Sequence, residues 1–564
     1  VIQENSLGSS RATIHPVVIV GAGAIGMLLS LELARYQVPT LVLDSALSTR
    51  RYPKGNTHNS RTMEHYRRLN LVERIRGVGL PPDHPTDVAY FTRILGPEIA
   101  RIPLPSTASK LAAVRSADDF AQVIEPIHRA NQMYVEEVLA EACANSDFVS
   151  IRRGWQVDEL TQDADGVDLE IRNLADDRPQ IVRSEYVVGC DGARSMVRQS
   201  LGIPYEGEGA FGTSMYGGPM TSGHLRIPGL RSRLIGREFW QGWTINSEIR
   251  TDLFPLDGGD EYMIHCALPD PISSRDLGAL IERALGEDSP AIEVLSINTW
   301  TAGRALVATR FAEGRVMICG DAAHLFTPTG GFGMNTGIDD AANLAWKLAA
   351  VIHRWGGDSL LESYEAERLP IAIRNTSAAR LLAKSVQSVE IGADIEDPGP
   401  DGDAERRRVG AILSGHKEEF ASIGIQLGAR YEGSSIVINE GPPAPADPPD
   451  RYEATARPGG RLPHLRMRDG SSLFDHLGHG YTLVRTDPSA DVSELLDTAA
   501  ENRLPVTVFD VDHPDARDFY EAALVLVRPD QYVAWRGQRI QNPAELVAVV
   551  TGQRLHSPAG LVER

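Results

Sequence analysis

The stretch PVVIVGAGAIGMLLSLELARYQVPTLVLD, Pro16 to Asp44, decides the fold. Val17–Val20 is an unbroken apolar run of strand length, GAGAIG is a tight glycine turn, and MLLSLELARYQ has helical periodicity. Thr40–Asp44 reads as a second strand that ends on an acid about 20 positions past the glycines, as a dinucleotide-binding fingerprint requires. Gly21 permits the sharp turn. Gly23 lets the backbone through Ala24 and Ile25 approach a pyrophosphate, and Gly26 lets helix and strand pack closely. The free N–H groups of the helix start attract phosphate. Asp44 is placed to accept hydrogen bonds from ribose hydroxyls.

Two more junctions of the same type lie downstream. EYVVGCDGARSMVRQSLGI sets Asp191-Gly192 after a strand, with Arg194 opening a helix, and RVMICGDAAH sets Gly320-Asp321 after another. Each brings a carboxylate to a strand's C-terminal end, where open α/β sheets bind ligands. Between them, WTINSEIRTDLFPLDGGDEYMIHCALP alternates and is rich in β-branched and aromatic residues, with DGGD as a hairpin-like turn. An antiparallel, substrate-side sheet is expected there. After the third junction, Ile338, Ala341, Ala342, Ala345, Leu348, Ala349 and Ile352 form a helical stripe, read as core.

The length of 564 residues implies two or three domains. A formal charge of −20 argues against nucleic acid as a partner, because phosphate binding needs clustered Lys and Arg. No apolar run is long enough to span a membrane, and the polar first residues, VIQENSLGSSRATIH, lack the pattern of a secretory signal. The four cysteines (Cys143, Cys190, Cys266, Cys319) fit no CxxC or zinc-ligand spacing. Reduced thiols, a cytoplasmic location and no metal are expected. Asp394–Asp403 and EGPPAPADPPD (Glu440–Asp450) read as linkers. Beyond them the order is β-α-β-β-β-α, resembling half of a thioredoxin-like unit without its cysteines.

The series GAGAIG, CDGARS, GDAAH, GGFGMNTGIDDAANLAWKLA and YEAERLPIA resembles the class A FAD-dependent aromatic monooxygenases, the superfamily of p-hydroxybenzoate and phenol hydroxylases. RPGGRLPHL and LVLVRPDQYVAWRG are similar to the branch with a thioredoxin-like third domain, which includes aromatic polyketide hydroxylases. The resemblance implies an α/β plus α+β chain. A Rossmann-like FAD-binding domain (15–204 and 301–393, with a small substrate-side insertion near 85–120) would follow a tail (1–14) and interleave with a β-sheet substrate domain (205–300). A connection (394–450) would lead to a thioredoxin-like domain (451–564).

It also implies residue roles. Asp321 would bind the ribityl chain of FAD, and the backbone of Gly331, Gly333, Met334 and Asn335 would face the flavin's pyrimidine edge. Pro328 would line the site near the reacting ring. Arg61 would sit near the pyrophosphate, Gln132 beside the flavin, and Val157 against adenine. Asp191, Gly192 and Arg194 would serve FAD and the pyridine nucleotide.

Only one complete dinucleotide fingerprint is present, so NADPH or NADH would visit transiently. Reduced flavin and O2 would give an electrophilic C4a-hydroperoxide that hydroxylates a phenolic or polycyclic aromatic ring. Water must be excluded for this, and a base near the substrate hydroxyl is expected. Where relatives often carry Asp or His, this chain has Asn56, which orients a hydroxyl but cannot take its proton; His58 is the nearby substitute. Tyr216, Trp240 and Trp243 are candidate substrate-lining residues. Baeyer–Villiger oxygenation, epoxidation and flavin binding without turnover stay open, as does the choice between monomer and homodimer. A halogenase is disfavoured, because FWQGWTI has only a superficial likeness to the WxWxIP pattern.

Overall fold

The structure is a computed structural model that describes residues 14–212, 215–268, 272–387, 389–420, 422–439, 441–442 and 444–553. The expected N-terminal tail, apart from Ile14, and the end of the last expected helix lie outside them. Among the described residues no helix is long and apolar enough to cross a membrane.

The opening stretch folds as its pattern demands. Strand Ile14–Val20 sits at the centre of a sheet, parallel to Thr40–Asp44 on one side and to Arg178–Gly189 on the other. Val316–Ile318 and Val149–Arg153 extend the parallel run at its two sides. Val17, Val18 and Ile19 are fully buried, in one core with helix Ala24–Arg35 and with Val167, Leu169 and Ile171 of the antiparallel strand Val167–Asn173. Each such side chain contributes about 1.5–3 kcal/mol by leaving water. Helix Ala24–Arg35 packs along the long helix Phe332–Ile352, which is buried on nearly every side. The three junctions therefore end side by side at one edge of this sheet.

A second sheet, of seven strands, stands over that edge. Its order is Glu293–Thr301, Pro219–Arg226, Glu261–Cys266, Arg250–Pro255, Gln241–Ile245, Val88–Phe91 and Glu98–Ile102. All its pairings are antiparallel except that of Gln241–Ile245 with Val88–Phe91. The DGGD turn joins two neighbouring strands, as its residues predict. Register aligns one row across five of the seven strands: Asn298, Ser222, His265, Asp252 and Trp243, continued by Tyr90 on a sixth. The opposite face carries Leu225, Leu253, Ile264 and Cys266, covered by Leu277 and Ile281 of helix Ser274–Leu285.

Asp394–Asp403 is not a linker. A 3-10 turn at Ala393–Glu396 leads into helix Pro400–Ser414. Pro400 occupies the helix start, and Asp401 and Asp403 sit in the first turn, where the helix dipole favours acids. The Pro- and Asp-rich composition was a helix-start signal. The described residues of Glu440–Asp450 hold neither helix nor strand.

The C-terminal sheet orders its strands Val506–Asp510, Tyr481–Arg485, Leu524–Val527 and Val533–Gly537, with only the first pair parallel. This is the expected thioredoxin-like arrangement, with one short added helix at Ala516–Tyr520. Its core is shared: Trp346 and Ala350, from the second half of the long helix, cluster with Tyr481, Leu483 and Leu526. Beside this cluster lies a group of buried charges. Glu367 accepts from Arg528 at 2.6 and 2.9 Å and from Lys347 at 2.6 Å, and Arg528 also holds Asp530 at 2.6 Å. Arg368 grips Asp339 and Asp340, at 2.5 and 2.7 Å.

Candidate active site

One cavity of about 1410 Å³ runs from the glycine turn at Gly21–Gly26 to the cavity face of the seven-stranded sheet. At its first end the glycines have separate duties. A side chain at Gly26 would put its Cβ 1.9 Å from the Gly21 carbonyl oxygen, and Gly21, at φ +106°, would meet the Cys190 carbonyl at 2.4 Å. A Cβ at Gly23 would meet nothing within 4 Å, so the space beside it is open for a ligand. Asp44 accepts from the Ala22 N–H at 2.6 Å and from the Ala46 N–H at 2.7 Å. A carboxylate has about four acceptor sites, so capacity remains for ribose hydroxyls. Val157 and Gln156 line the cavity near this strand end.

The other two junctions line the same cavity. Asp191 accepts from the Val197 N–H at 3.1 Å through one oxygen, while the other oxygen is buried with no hydrogen-bond partner. Burial pushes its carboxyl above the usual carboxylate range. Gly192 and Arg194 lie beside it on the wall. Asp321 is exposed to the cavity, its carbonyl accepting from the Tyr205 hydroxyl at 2.6 Å. Pro328 caps a 3-10 turn in which Gly330 and Gly331 take φ of +78° and +66°, a left-handed path that favours glycine. Phe332, Gly333 and Met334 then open the 21-residue helix against the cavity.

Asn335 is turned away from it. Its amide accepts from the Asn59 N–H at 2.9 Å and the Thr62 hydroxyl at 2.6 Å, and donates to the Thr57 and Gly331 carbonyls at 3.0 and 2.5 Å. The side chain clamps the glycine loop to the helix start at Asn59. Gln132 lines the wall and donates to Glu136 at 2.7 Å.

Three expectations need correction. Arg61 does not reach the cavity; it is 4 % exposed and binds Glu64 at 2.8 Å, Gln531 at 2.6 Å and the Asp530 carbonyl at 2.7 Å. Helix Ser60–Arg68 is buried along Ser60–Tyr66 and turns Arg61 toward the C-terminal domain. Arg61→Met is therefore expected to cost about 1.5–3 kcal/mol of stability while FAD affinity, by fluorescence titration, stays unchanged. His58 does not meet the cavity as the substitute base: it lies fully buried behind the wall, with its ring bonded to the Ala130 carbonyl at 3.2 Å and the Tyr66 hydroxyl at 3.2 Å. Burial pushes its imidazole down to about 3, which makes it a weak proton acceptor. Trp243 shares the cavity face of its sheet but is covered, its ring 5.9 Å from that of Tyr216. Trp240 and Tyr216 do line the cavity, as does Asn56, whose amide nitrogen is buried without a partner.

The residues that the sequence left unseen lie on this same wall. Arg129 stacks 3.4 Å above the centre of the Trp240 ring and donates to the Thr57 hydroxyl at 2.5 Å. Trp300 donates to Ser222 at 2.7 Å, and Ser222 in turn pairs with His265 Nδ1 at 2.7 Å. Burial lowers the His265 imidazole to about 4, so its ring is neutral. Tyr216 and Gln241 both donate to the fully buried Asp252, Gln241 at 2.9 Å. The strict alternation of the WTINSEIRTDLFPL strands was the available signal: it groups these side chains on one face without saying which face meets the cavity.

A parallel sheet with an open glycine cradle, joined by one cavity to an aromatic-lined antiparallel sheet, defines a flavin-dependent oxygenase of aromatic rings. The chain belongs to that family: residues 15–379 match the FAD binding domain and residues 455–553 the aromatic-ring hydroxylase C-terminal domain. It is similar to the FAD-dependent monooxygenase apdD of Emericella nidulans, 30% identical over 97% of this chain and 91% of the relative. The 2,4-dichlorophenol 6-monooxygenase of Cupriavidus pinatubonensis is 29% identical, with 94% of each chain covered. Among solved structures, the rebeccamycin biosynthetic enzyme RebC with reduced flavin has a TM-score of 0.85 and 35% identity, covering 96% of this chain and 100% of its own. The chain is thus an FAD-dependent monooxygenase of aromatic substrates. The open cradle at Gly23 and the unpartnered Asp191 oxygen suit FAD, which supplies the redox chemistry that activates O2.

Proposed function

We propose that this enzyme hydroxylates a phenolic ring of a large, polycyclic or polyketide-like substrate, using O2 and a transiently bound NADPH or NADH. The observation that carries this reading is the unbroken cavity from the Gly23 cradle to Trp300 and His265. A site of about 300–1,000 Å³ suffices for one drug-sized ligand, and this one is larger. In this reading Gly21–Gly26, Asp44 and Val157 hold the adenosine and pyrophosphate of FAD, with Asp191, Gly192 and Arg194 beside them. Asp321 binds the ribityl chain and Gln132 the flanking edge. The N–H groups of Gly333 and Met334 stabilise negative charge on the ring, as a helix N-terminus does. Pro328 and Tyr216 border the substrate, and Asn56 orients a hydroxyl. Trp240 and Trp300 exclude water from it. One chain lines the whole site, so a monomer or a homodimer serves equally, and four unpaired thiols suit a cytoplasmic enzyme.

The test is a screen of mono- and polycyclic phenols for stimulated NAD(P)H oxidation by the holoenzyme, with product mass determined. Expected is a stimulation of at least about tenfold, or roughly 1.4 kcal/mol of barrier, by a phenol that gains one oxygen atom. Equal oxidation with and without any phenol would count against the reading.

A further inference from the structure

Resting on the phenolic reading above, we infer that His265 holds an N–H out to the substrate through Nε2. The enzyme thereby selects a phenol whose far end carries an uncharged hydrogen-bond acceptor, a ketone or quinone oxygen.

The tautomer follows from a chain of three side chains across the substrate sheet. The indole N–H of Trp300 can only donate, and it donates to Ser222 Oγ at 2.7 Å. Ser222 has one proton to give, and His265 Nδ1 lies 2.7 Å from its oxygen. A proton on Nδ1 would aim two N–H groups at that oxygen and leave the Ser222 proton with no acceptor among the described residues. With Nδ1 accepting, the single proton of a neutral imidazole sits on Nε2. Ser222 and His265 face each other across neighbouring strands and are 5 % and 9 % exposed, so the pair is held in place. Trp300 and Phe254 meet the His265 ring edge-on, each at 5.6 Å, and fix its plane. Nε2 has no partner among the described residues and is not sealed from the cavity that His265 lines.

Charge decides the class of acceptor. Among the described residues, those that the seven-stranded sheet gives to the cavity include no Asp, Glu, Lys or Arg. The cations of the cavity, Arg50, Lys54, Arg129, Arg153, Arg194 and Arg304, all stand on other elements. Asp252 shares the row but is fully buried, with Tyr216 and Gln241 donating to it. Burial lowers the His265 imidazole to about 4, so the ring adds no positive charge at neutral pH. A carboxylate brought to this wall would lose its water with no cation there to offset the cost. A carbonyl oxygen is cheaper to desolvate and is matched by one N–H. Asn298, next to Ser222 in the row, both donates and accepts, so it does not discriminate. Gln241 is committed to Asp252.

The test uses two phenols of one skeleton, 4-hydroxybenzophenone and 4-benzylphenol, which differ by a carbonyl in place of a methylene. Their dissociation constants are read from the flavin spectrum in wild-type holoenzyme, His265→Leu, His265→Gln and Ser222→Ala. The preference for the ketone is expected to fall about fivefold in His265→Leu, the scale of one neutral hydrogen bond. His265→Gln, whose amide restores an N–H, should keep it to within about twofold. Ser222→Ala releases Nδ1 and lets the tautomers mix, so a loss of about two- to threefold is expected. Nitrogen-15 spectra, with the His265 signals taken as those missing from His265→Gln, should show the Nε2–H form before any phenol is added. If His265→Leu does not fold, Ser222→Ala and the spectra still decide. An unchanged preference in both His265→Leu and Ser222→Ala with both phenols bound, or an Nδ1–H form, would overturn the donor alone. A flavin spectrum that neither phenol perturbs would overturn the phenolic reading, and the donor with it.

Discussion

Arg528→Met is expected to lower the unfolding free energy by about 3–5 kcal/mol, read as a drop in the urea midpoint followed by tryptophan fluorescence. The reason is geometric. Arg528 is fully buried and serves Glu367 through both terminal nitrogens and Asp530 through two contacts. Methionine fills much of the volume but leaves two carboxylates in a dry interior, with Lys347 the cation that stays bonded to Glu367. Burial pulls Lys347 down to about 8, so it is a poor replacement. Burial alone would push the Glu367 carboxyl up, but Arg528 and Lys347 hold it well below the usual range. Asp339, Asp340 and Glu64 are held low in the same way, by Arg368, His324 and Arg461 respectively with their neighbours.

The pH dependence follows from those directions. A carboxylate depressed in the folded state contributes stability that is complete above its unfolded value, near 4, and is lost as pH falls through its folded value. Wild-type stability should therefore decline below about pH 4, and Arg528→Met should decline less steeply, because Glu367 no longer contributes. A loss at neutral pH of under about 1 kcal/mol, the scale of an exposed ion pair, would contradict the buried-cluster account.

The second large effect separates two glycines only three residues apart. Gly26→Ala is expected to give a colourless, destabilised protein, because the new methyl would press on the Gly21 carbonyl at 1.9 Å, a backbone atom that cannot yield. Gly23→Ala should fold normally without cofactor: its φ of −79° suits any residue and nothing lies within 4 Å of the new Cβ. The methyl instead enters the space assigned to the pyrophosphate, so FAD affinity should fall at least about tenfold, or 1.4 kcal/mol. Thermal melts with and without added FAD would show it, since a ligand at a hundred times its Kd stabilises by about 2.7 kcal/mol. Wild-type flavin affinity in Gly23→Ala would remove the pyrophosphate from that position.

The legible part of this molecule was its backbone grammar. Three strand-to-turn junctions carry glycines and acids at spacings that local sterics dictate, and they end at one cavity. Side-chain direction was harder. Alternation puts Gln241, Trp243 and, by register, Asp252 on a single face, but which of them meets the cavity depends on Tyr216 lying over Trp243 from a loop 27 residues earlier. Arg61 shows the same limit on a helix. Its position in HNSRTMEHYRRL is that of a cofactor arginine, whereas its partners Asp530 and Gln531 come from more than 460 residues away. Contacts between distant segments leave no trace in a local pattern.

The long helix Phe332–Ile352 begins at the cavity and has Trp346 and Ala350 in the core of the C-terminal sheet. The chain's natural joints are thus not where its composition changes. A chimaera that exchanged only residues 455–553 for those of a relative would receive a sheet cut to fit another protein's Trp346, Lys347, Trp355 and Glu367. Recombination in this architecture has to carry the receiving helix with the incoming tail, so tails and catalytic bodies are expected to travel as matched pairs.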